Sequence, residues 1–290
     1  MNVIWSKYVQ GSETLYYSRK LRFSDYFASQ YTSFFALDCT KKLRILEIGC
    51  GPGALAGALR RWYPNAEIIA VDRDTEFIRF AKEHEPGICF VEGDATALPF
   101  EDDTFDVTIS NTVSEHVEPS KFYGEQHRVL KPGGVCLVLS SCRGINRTPA
   151  CLEPQTCEKS FWDKASQFDD TLERYSVCRY PMHEDEMPAA MEKYGFSAIS
   201  TAYATVDLTP DCPKFDAQTA HDMINANRYV ALNAIGSIFA TAPEQFSDEE
   251  IREMIRLTNE KYDARLRDYE SGIKHWDTTV SILLMLRGTK

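Results

Sequence analysis

The stretch RILEIGCGPGALAGAL, from Arg44 to Leu59, joins a short apolar run to a helix-like run through Gly-Cys-Gly-Pro-Gly. The first run predicts a buried strand, and Leu55 and Leu59 are spaced for one face of a helix. Three glycines in five positions indicate a tight turn at which a ligand can approach the main chain without meeting a Cβ atom. The free N–H groups at the start of the following helix can donate hydrogen bonds to such a ligand.

Strand-like and helix-like runs continue to alternate beyond this turn, which predicts a parallel sheet covered by helices on both faces. The predicted strands cover 43–49, 67–72, 88–94, 105–111, 135–141, 196–208 and 279–288. They are apolar throughout, as burial on both faces requires. We therefore expect an α/β, Rossmann-like fold with a seven-stranded, mostly parallel sheet and helical lid insertions.

The composition limits the classes of partner. The chain has 290 residues, 43% of them hydrophobic and 26% charged, and a formal net charge of −11. This charge argues against a nucleic-acid partner, because phosphate binding relies on clustered Lys and Arg. We find no run that approaches the roughly 20 apolar residues needed to span a bilayer, so we expect no membrane partner and a cytoplasmic location. The oligomeric state cannot be derived from the sequence.

Cysteine usage points to reduced thiols. The nine cysteines are scattered, and several stand inside apolar runs. The chain contains no CxxC pair, and the spacing of Cys151 and Cys157 is not that of a metal-binding motif. We therefore expect neither a disulfide framework nor a metal site.

Polar residues end three successive predicted strands after the glycine turn. Asp72 lies about 20 residues beyond the turn, where an acid accepts hydrogen bonds from ribose hydroxyls. Asp94 and Asn111 end the next two strands. An acid at a strand end can also merely cap a helix. The run from Gly49 to Ala54 fits the GxGxxG/A fingerprint as well, so these residues alone leave a nicotinamide-dependent oxidoreductase open.

Five motifs together resemble a class I S-adenosylmethionine-dependent methyltransferase, of the methyltransferase type 11-like kind. They are ILEIGCGPG, AVDRD, EGDATALPFEDDTFD, ISNTVSEHV and RVLKPGGVCLVL, in the expected order within residues 43–142. The resemblance implies S-adenosyl-L-methionine as cofactor, S-adenosyl-L-homocysteine as product and a small molecule as methyl acceptor. It does not imply which acceptor atom, whether O, N, S or C, receives the methyl group.

The resemblance also implies roles for individual residues. The methionine part of the cofactor would contact the glycine turn and its neighbours, namely Glu47, Gly49, Cys50, Gly51 and Gly53. Asp72 would hold the ribose, and the adenine would lie beside Arg73, Asp94 and Ala95. Asn111 and Thr112 would close the pocket near the sulfonium. Tyr16 and Arg19 would cover the cofactor, Arg19 as a carboxylate partner; the alternative is that both only pack at the surface.

We interpret residues 1–290 as a single methyltransferase domain in which two insertions close over the acceptor. Its predicted parts are an N-terminal cap (1–37), the cofactor-binding core (38–142), a lid insertion (143–182), a further piece of core (183–208), a helical insertion (209–277) and the last strand (278–290). In the helical insertion, Ser247 and Glu250 form a capping box that predicts the start of a helix.

Methyl transfer from a sulfonium is an in-line displacement, so alignment of the reactants is the protein's main task. A general base is needed only if the acceptor must lose a proton. His116 is our candidate catalytic residue, beside Glu115 and His183 as further candidates; the alternative for His116 is packing at a helix start. Aromatic residues of the insertions are candidates for an acceptor pocket: Phe161, Trp162, Tyr175, Tyr180 and Tyr229. A non-catalytic cofactor-binding subunit is the other alternative.

Overall fold

In the computed structural model of the protein, residues 5–168 and 177–290 are described, with only the backbone described for 141–143. One seven-stranded sheet is present in these residues. Its strands are β1 (Arg44–Ile48), β2 (Glu67–Asp72), β3 (Cys89–Glu92), β4 (Phe105–Asn111), β5 (Leu130–Arg147), β6 (Ser197–Leu208) and β7 (Thr278–Thr289).

The strand order of the sheet is β3-β2-β1-β4-β5-β7-β6. β1 pairs in parallel with both β2 and β4, β2 with β3, and β4 with β5. The carboxyl ends of β1 to β4 therefore lie at one edge of the sheet. Because β1 has β2 on one side and β4 on the other, the direction of chain crossing reverses at β1, where α/β sheets open a ligand crevice. The predicted Rossmann-like fold is confirmed.

Helices precede, connect and follow these strands. They are α1 (Trp5–Tyr8), α2 (Ser12–Arg22), α3 (Ala28–Phe35), α4 (Ala54–Trp62), α5 (Thr75–His84), α6 (Pro119–Val129), α7 (Thr156–Ala165), α8 (Glu186–Lys193), α9 (Ala217–Thr241) and α10 (Asp248–Glu270). Short 3₁₀ turns occupy Ser114–His116 and Ala150–Leu152. Among the described residues, no helix has the length and apolar character needed to cross a membrane.

The central strands are buried because their residues are apolar on both faces. Leu46 and Ile48 of β1 pack with Val71 of β2 and Phe105 of β4 in one cluster. Local signals set the ends of the connecting helices. The side chain of Asp74 caps α5 by accepting hydrogen bonds from the N–H groups of residues 76 and 77, and Pro119 opens α6.

The described residues divide into two compact units, and the single methyltransferase domain over residues 1–290 stays a prediction. The first unit takes its residues from 1–21, 144–175 and 207–280, and the second from 22–143, 176–206 and 281–290. The second unit contains most of the sheet. In the first unit, Phe161, Ile235, Phe246, Ile251 and Met254 form part of a hydrophobic core to which α7, α9 and α10 contribute.

The two predicted insertions contain more regular structure than expected. β5 continues through the start of the predicted lid to Arg147, and α7 follows. The predicted helical insertion contains α9, a helix of 25 residues that the sequence analysis missed, in addition to α10. The capping box of α10 is present, since the Ser247 side chain accepts from the Glu250 N–H and the Glu250 side chain accepts from the Ser247 N–H. The role of these segments as lids stays a prediction.

Candidate functional site

The glycine turn between β1 and α4 has a left-handed backbone that side chains would disturb. Gly49 and Gly53 have φ values of +66° and +89°. A Cβ atom on Gly49 would lie 2.5 Å from Val113 Cγ2, and one on Gly53 would lie 2.9 Å from Phe90 Cζ. Both positions therefore require glycine for their conformation and for the close approach of neighbouring elements.

Asp72, at the end of β2, fastens this turn. Its Oδ2 accepts a hydrogen bond from the Gly51 N–H at 2.8 Å, and its Oδ1 accepts from the Asp74 N–H at 2.9 Å. Burial raises the pKa of Asp72, and the two backbone donors oppose that shift. Because a carboxylate has about four acceptor positions, Asp72 keeps capacity for a ligand after making these bonds. Arg73, the next residue, is exposed.

Two buried groups line the turn from the side of β1. Glu47 is 2% exposed, and among the described residues its Oε2 has no hydrogen-bond partner. Burial, followed by the nearby charge of Asp72, raises the pKa of Glu47 well above its usual range. Cys50 is also buried, and its N–H donates to the Val71 carbonyl at 3.0 Å. A buried acceptor without a donor is costly, so Glu47 fits a ligand that brings a hydrogen-bond donor.

The residues after β3 form a small turn. The Oδ1 of Asp94 accepts from both the N–H and the hydroxyl of Thr96, each at 2.8 Å, and the Asp94 side chain is exposed. Ala95 is half-buried and packs against the hydrophobic cluster beneath the sheet edge. The predicted adenine contacts of Asp94 and Ala95 stay predictions.

At the end of β4 the backbone also becomes left-handed. Thr112 has a φ of +53°, its N–H donates to the Leu139 carbonyl at 2.8 Å, and its hydroxyl donates to the Asn111 carbonyl at 2.7 Å. The side-chain Oδ1 of Asn111 is buried and has no partner in the described part of the chain. Asn111 thus adds a second unpaired buried acceptor at the same sheet edge as Glu47.

His116 ends the 3₁₀ turn that follows β4 and precedes α6. Its Nδ1 accepts a hydrogen bond from the Cys178 N–H at 2.9 Å. Burial, followed by the charge of Arg73, lowers the pKa of His116 to about 4. The imidazole is therefore neutral at pH 7, and its proton resides on Nε2 because Nδ1 is an acceptor. The Glu115 carbonyl accepts from the Tyr180 N–H at 2.9 Å, so residues 177–180 run alongside this turn.

The other predicted residues belong to other elements, and their proposed roles stay predictions. Tyr16 and Arg19 belong to α2 in the first unit, where Tyr16 is buried and contacts the Tyr17 ring edge-on with 5.3 Å between centroids. His183 precedes α8, and its N–H donates to Glu186 Oε2 at 2.7 Å. Tyr175 lies outside the described residues.

The predicted acceptor aromatics mostly have packing partners. Phe161 is buried in the core of the first unit, and Trp162 packs beside it. Tyr229 stacks on Tyr17 with 5.3 Å between ring centroids. These packing contacts explain the positions of Phe161, Trp162 and Tyr229 without a bound methyl acceptor.

Sequence reasoning missed two features. Val113 faces Gly49 and sets the space available at the turn, and no pattern in the sequence marks that contact. Cys151, Asp268 and His275 come together in the first unit, with their ligand atoms within 4.8 Å of one another. Cys151 and His275 are 124 residues apart in the chain, so spacing could not reveal this cluster.

Comparison with known proteins assigns the core. Residues 46–138 match the methyltransferase domain family. A probable phthiotriol/phenolphthiotriol dimycocerosates methyltransferase 2 of Mycobacterium ulcerans is 43% identical over 95 residues, which are 31% of this chain and 36% of that protein. A fatty-acid O-methyltransferase of Mycolicibacterium smegmatis is 40% identical over 98 residues, 32% of this chain and 35% of that protein. The matched region thus spans little more than a third of these curated relatives.

A solved structure supports the same fold over nearly the whole chain. Haemonchus contortus phosphoethanolamine N-methyltransferase 2, in complex with S-adenosyl-L-methionine, superposes with a TM-score of 0.53 and 16% identity. The alignment covers 99% of this chain and 59% of that one. At this identity the similarity establishes the fold alone.

Proposed function

The chain carries a class I methyltransferase domain, and from this premise we propose that it is an S-adenosylmethionine-dependent methyltransferase. It moves a methyl group to a small-molecule acceptor by in-line displacement and gives S-adenosylhomocysteine. The observation that carries the proposal is the edge formed by β1, β2 and β4, where a glycine turn stands beside two buried acceptor atoms, Glu47 Oε2 and Asn111 Oδ1, that have no donor among the described residues. The nicotinamide alternative has no support from the family match.

The hydrogen-bond acceptors at this sheet edge match the hydrogen-bond donors of the cofactor. S-adenosylmethionine supplies an activated methyl group on a positively charged sulfur, and it carries an ammonium group and two ribose hydroxyls as donors. Glu47 and Asn111 offer unpaired acceptors, and Asp72 keeps acceptor capacity beyond its bonds to the turn. Gly49 and Gly53 allow the left-handed backbone of the turn and its close packing against Val113 and Phe90. These residues would bind and orient the methyl donor.

His116 is proposed to be a hydrogen-bond donor rather than a general base. The nitrogen that could take a proton, Nδ1, already accepts from the Cys178 N–H. Nε2 carries the proton and can donate to an acceptor molecule. We expect His116→Gln to lower kcat without changing the shape of its pH profile, because the glutamine amide also donates. Loss of one limb of the profile in this variant would restore the general-base assignment.

The small-molecule assignment rests on charge and on relatives. The net charge of −11 disfavours nucleic acid, and the two relatives above are named for methylation of lipid-like compounds. Incubation of the purified chain with a panel of thiols, catechols, amines and carboxylates, read out as S-adenosylhomocysteine formation, would identify the acceptor class. Turnover by the chain alone excludes a non-catalytic subunit. A cytoplasmic location stays a prediction.

Calorimetry with S-adenosylmethionine and S-adenosylhomocysteine tests cofactor binding directly. We expect Asp72→Ala to weaken binding by about tenfold to a hundredfold, the effect of losing a hydrogen bond to a charged group. Glu67→Ala is the matched control, because Glu67 is an exposed acid at the opposite end of the same strand. Unchanged heats in Asp72→Ala, or no heat from the folded wild-type chain, would overturn the proposal.

A further inference from the structure

A thiol, an imidazole and a carboxylate meet in the first unit, outside every residue assigned above. Cys151 lies in the 3₁₀ turn Ala150–Leu152, Asp268 in the last turn of α10, and His275 in the segment after that helix. Cys151 Sγ and His275 Nδ1 are 3.9 Å apart, and His275 Nε2 is 2.8 Å from Asp268 Oδ2. Each side chain offers one ligand atom, and these atoms all lie within 4.8 Å of one another.

The histidine is held in place from two directions. Its backbone N–H and that of Trp276 both donate to Asp211 Oδ2 at 2.8 Å. Asp268 fixes the ring through Nε2, as carboxylates commonly orient metal-binding histidines. Asp211 is itself buried and accepts from Arg265 Nη2 at 2.9 Å. The segment that carries His275 is therefore anchored independently of Cys151.

The charges around the cluster favour a cation. Arg265 is fully buried and pairs with Asp211 and Asp277, with closest N–O distances of 2.9 and 2.7 Å. One guanidinium thus faces two carboxylates, and Asp268 adds a third. This excess of negative charge is the environment in which a divalent ion is attracted.

We propose that Cys151 Sγ and His275 Nδ1 bind a divalent transition-metal ion of the zinc type in the first unit, while Asp268 orients the imidazole through Nε2. Thiolate and imidazole are ligands that zinc accepts together. Zinc bond lengths to sulfur and nitrogen give a sulfur–nitrogen separation of about 3.5 Å in a tetrahedron, against 3.9 Å here. Two protein ligands leave the remaining positions to water or other small ligands.

Binding has a defined proton balance. The Cys151 thiol becomes a thiolate, so its S–H bond breaks, a sulfur–metal bond forms, and one proton passes to the buffer for each ion bound. The ion joins segments that are 124 residues apart in the chain, so it also stabilises the folded state.

Cobalt titration of the chelator-treated full-length chain tests the site. We expect one equivalent of Co²⁺ to produce thiolate-to-cobalt charge-transfer absorption with the visible bands of a tetrahedral ion, and Zn²⁺ to displace it. Calorimetry in two buffers of different ionisation enthalpy should report release of one proton. Cys151→Ser and His275→Gln remove a ligand atom and should each weaken Zn²⁺ binding by at least about 100-fold, whereas Asp268→Asn alters the group behind the histidine and should weaken it by about 10- to 100-fold.

Cys157→Ser is the matched control, since Cys157 is an exposed cysteine six residues away that lies outside the cluster. It should leave the absorption and the affinity unchanged. Absence of the charge-transfer band, or a band that survives Cys151→Ser and disappears in Cys157→Ser, overturns the proposal. Alkylation of metal-free Cys151 that is faster than that of Cys157 and is not slowed by Zn²⁺ would also overturn it, in favour of an activated thiol. Cofactor binding by each variant shows that it is folded, and the metal site does not depend on methyl transfer.

Discussion

The buried carboxyl group of Glu47 destabilises the folded chain when it is charged, and the same group can accept a hydrogen bond from a ligand. Its pKa is raised, chiefly because the carboxyl group is buried and then because Asp72 is near. The folded state therefore binds a proton more tightly than the unfolded state does. The stability associated with Glu47 is fully present below its ordinary pKa and is lost as the pH rises through the folded pKa.

We expect Glu47→Gln to raise the midpoint of thermal unfolding at neutral pH while weakening cofactor binding by about tenfold to a hundredfold. The amide removes the buried charge, and it replaces one of the two carboxylate oxygens that could accept from the ammonium group by a donor. Melting curves between about pH 5 and about pH 8, with calorimetry, check both effects. The exposed Glu67→Gln should change neither. A lower midpoint in Glu47→Gln would mean that the carboxylate stabilises the empty site.

Gly49→Ala should destabilise the chain and abolish cofactor binding at ordinary concentrations. The left-handed backbone costs a side chain about 1–2 kcal/mol, and overlap with Val113 adds about 1–3 kcal/mol. Gly124→Ala is the control, because a Cβ atom there meets nothing within 4 Å and Gly124 lies within α6. It should stabilise by about 1 kcal/mol. Urea denaturation of both variants measures these changes in stability. Equal unfolding midpoints would contradict a left-handed, closely packed backbone at Gly49.

Residue types at strand ends could be predicted, and their hydrogen bonds could not. Asp72 stands where the alternation of strands and helices places an acid beside the turn, so its position follows from the sequence. The hydrogen bond that Asp72 accepts from the Gly51 N–H depends on the φ values of the turn, and the amino-acid sequence does not specify these angles. The hydrogen bond at His116 Nδ1 could not be predicted either, because its donor, the Cys178 N–H, lies in a segment that is distant in the sequence.

Helices with strong local signals were found, and those without them were missed. α10 begins at a capping box and has an apolar residue on each side of it. α9 is capped by Asp216, whose side chain accepts from the Thr219 N–H, but it has no capping box, and its sequence contains Gly236, a poor helix former. β5 was predicted too short because its last residues, from Ser141 to Arg147, are largely polar and lack strand periodicity.

Ser247→Ala should cost about 1 kcal/mol of unfolding free energy, because it removes the side-chain acceptor for the Glu250 N–H at 3.2 Å. Ser271→Ala, at the other end of α10, should have little effect. Urea denaturation measures both. Equal losses from the two ends would exclude a specific role for the cap.

The acidic limb of stability should follow Glu250. The Ser247 N–H, followed by Lys164, lowers the pKa of Glu250 to about 2. Its stabilising contribution is fully present above its ordinary pKa and is lost as the pH falls through the folded-state pKa of about 2. Glu250→Gln should therefore flatten the loss of stability on acidification, as measured by unfolding at several acidic pH values. An unchanged slope would mean that other carboxylates dominate it.

At the scale of the whole chain, Arg265 ties together segments that are far apart in sequence. It pairs with Asp211, which precedes it by 54 residues, and with Asp277, which follows it by 12. Such a network contributes less to net stability than its short distances suggest, because burial of the charges offsets their attraction. Removing one member is nevertheless severe, since the others stay buried without compensation.

Arg265→Met should lower the unfolding free energy by about 3–5 kcal/mol, and Arg265→Lys should retain part of it. Arg256→Met is the control on the same helix, where an exposed guanidinium pairs with Glu253 and Glu260. Exposed pairs of this kind contribute little, so the control should unfold as the wild type does. Thermal melts compare the stability of Arg265→Met with that of Arg256→Met. Similar losses of stability in the two variants would refute the distinction between buried and exposed ion pairs.

The position of β7 between β5 and β6 has a consequence for synthesis on the ribosome. β6 is translated well before β7, yet in the finished sheet β7 is its hydrogen-bonded neighbour. All residues of the first unit also precede residue 281, from which the second unit resumes. A nascent chain therefore holds β6 as an unpaired edge while some 70 further residues emerge, and chaperones that shield open strand edges are expected to engage it during that interval.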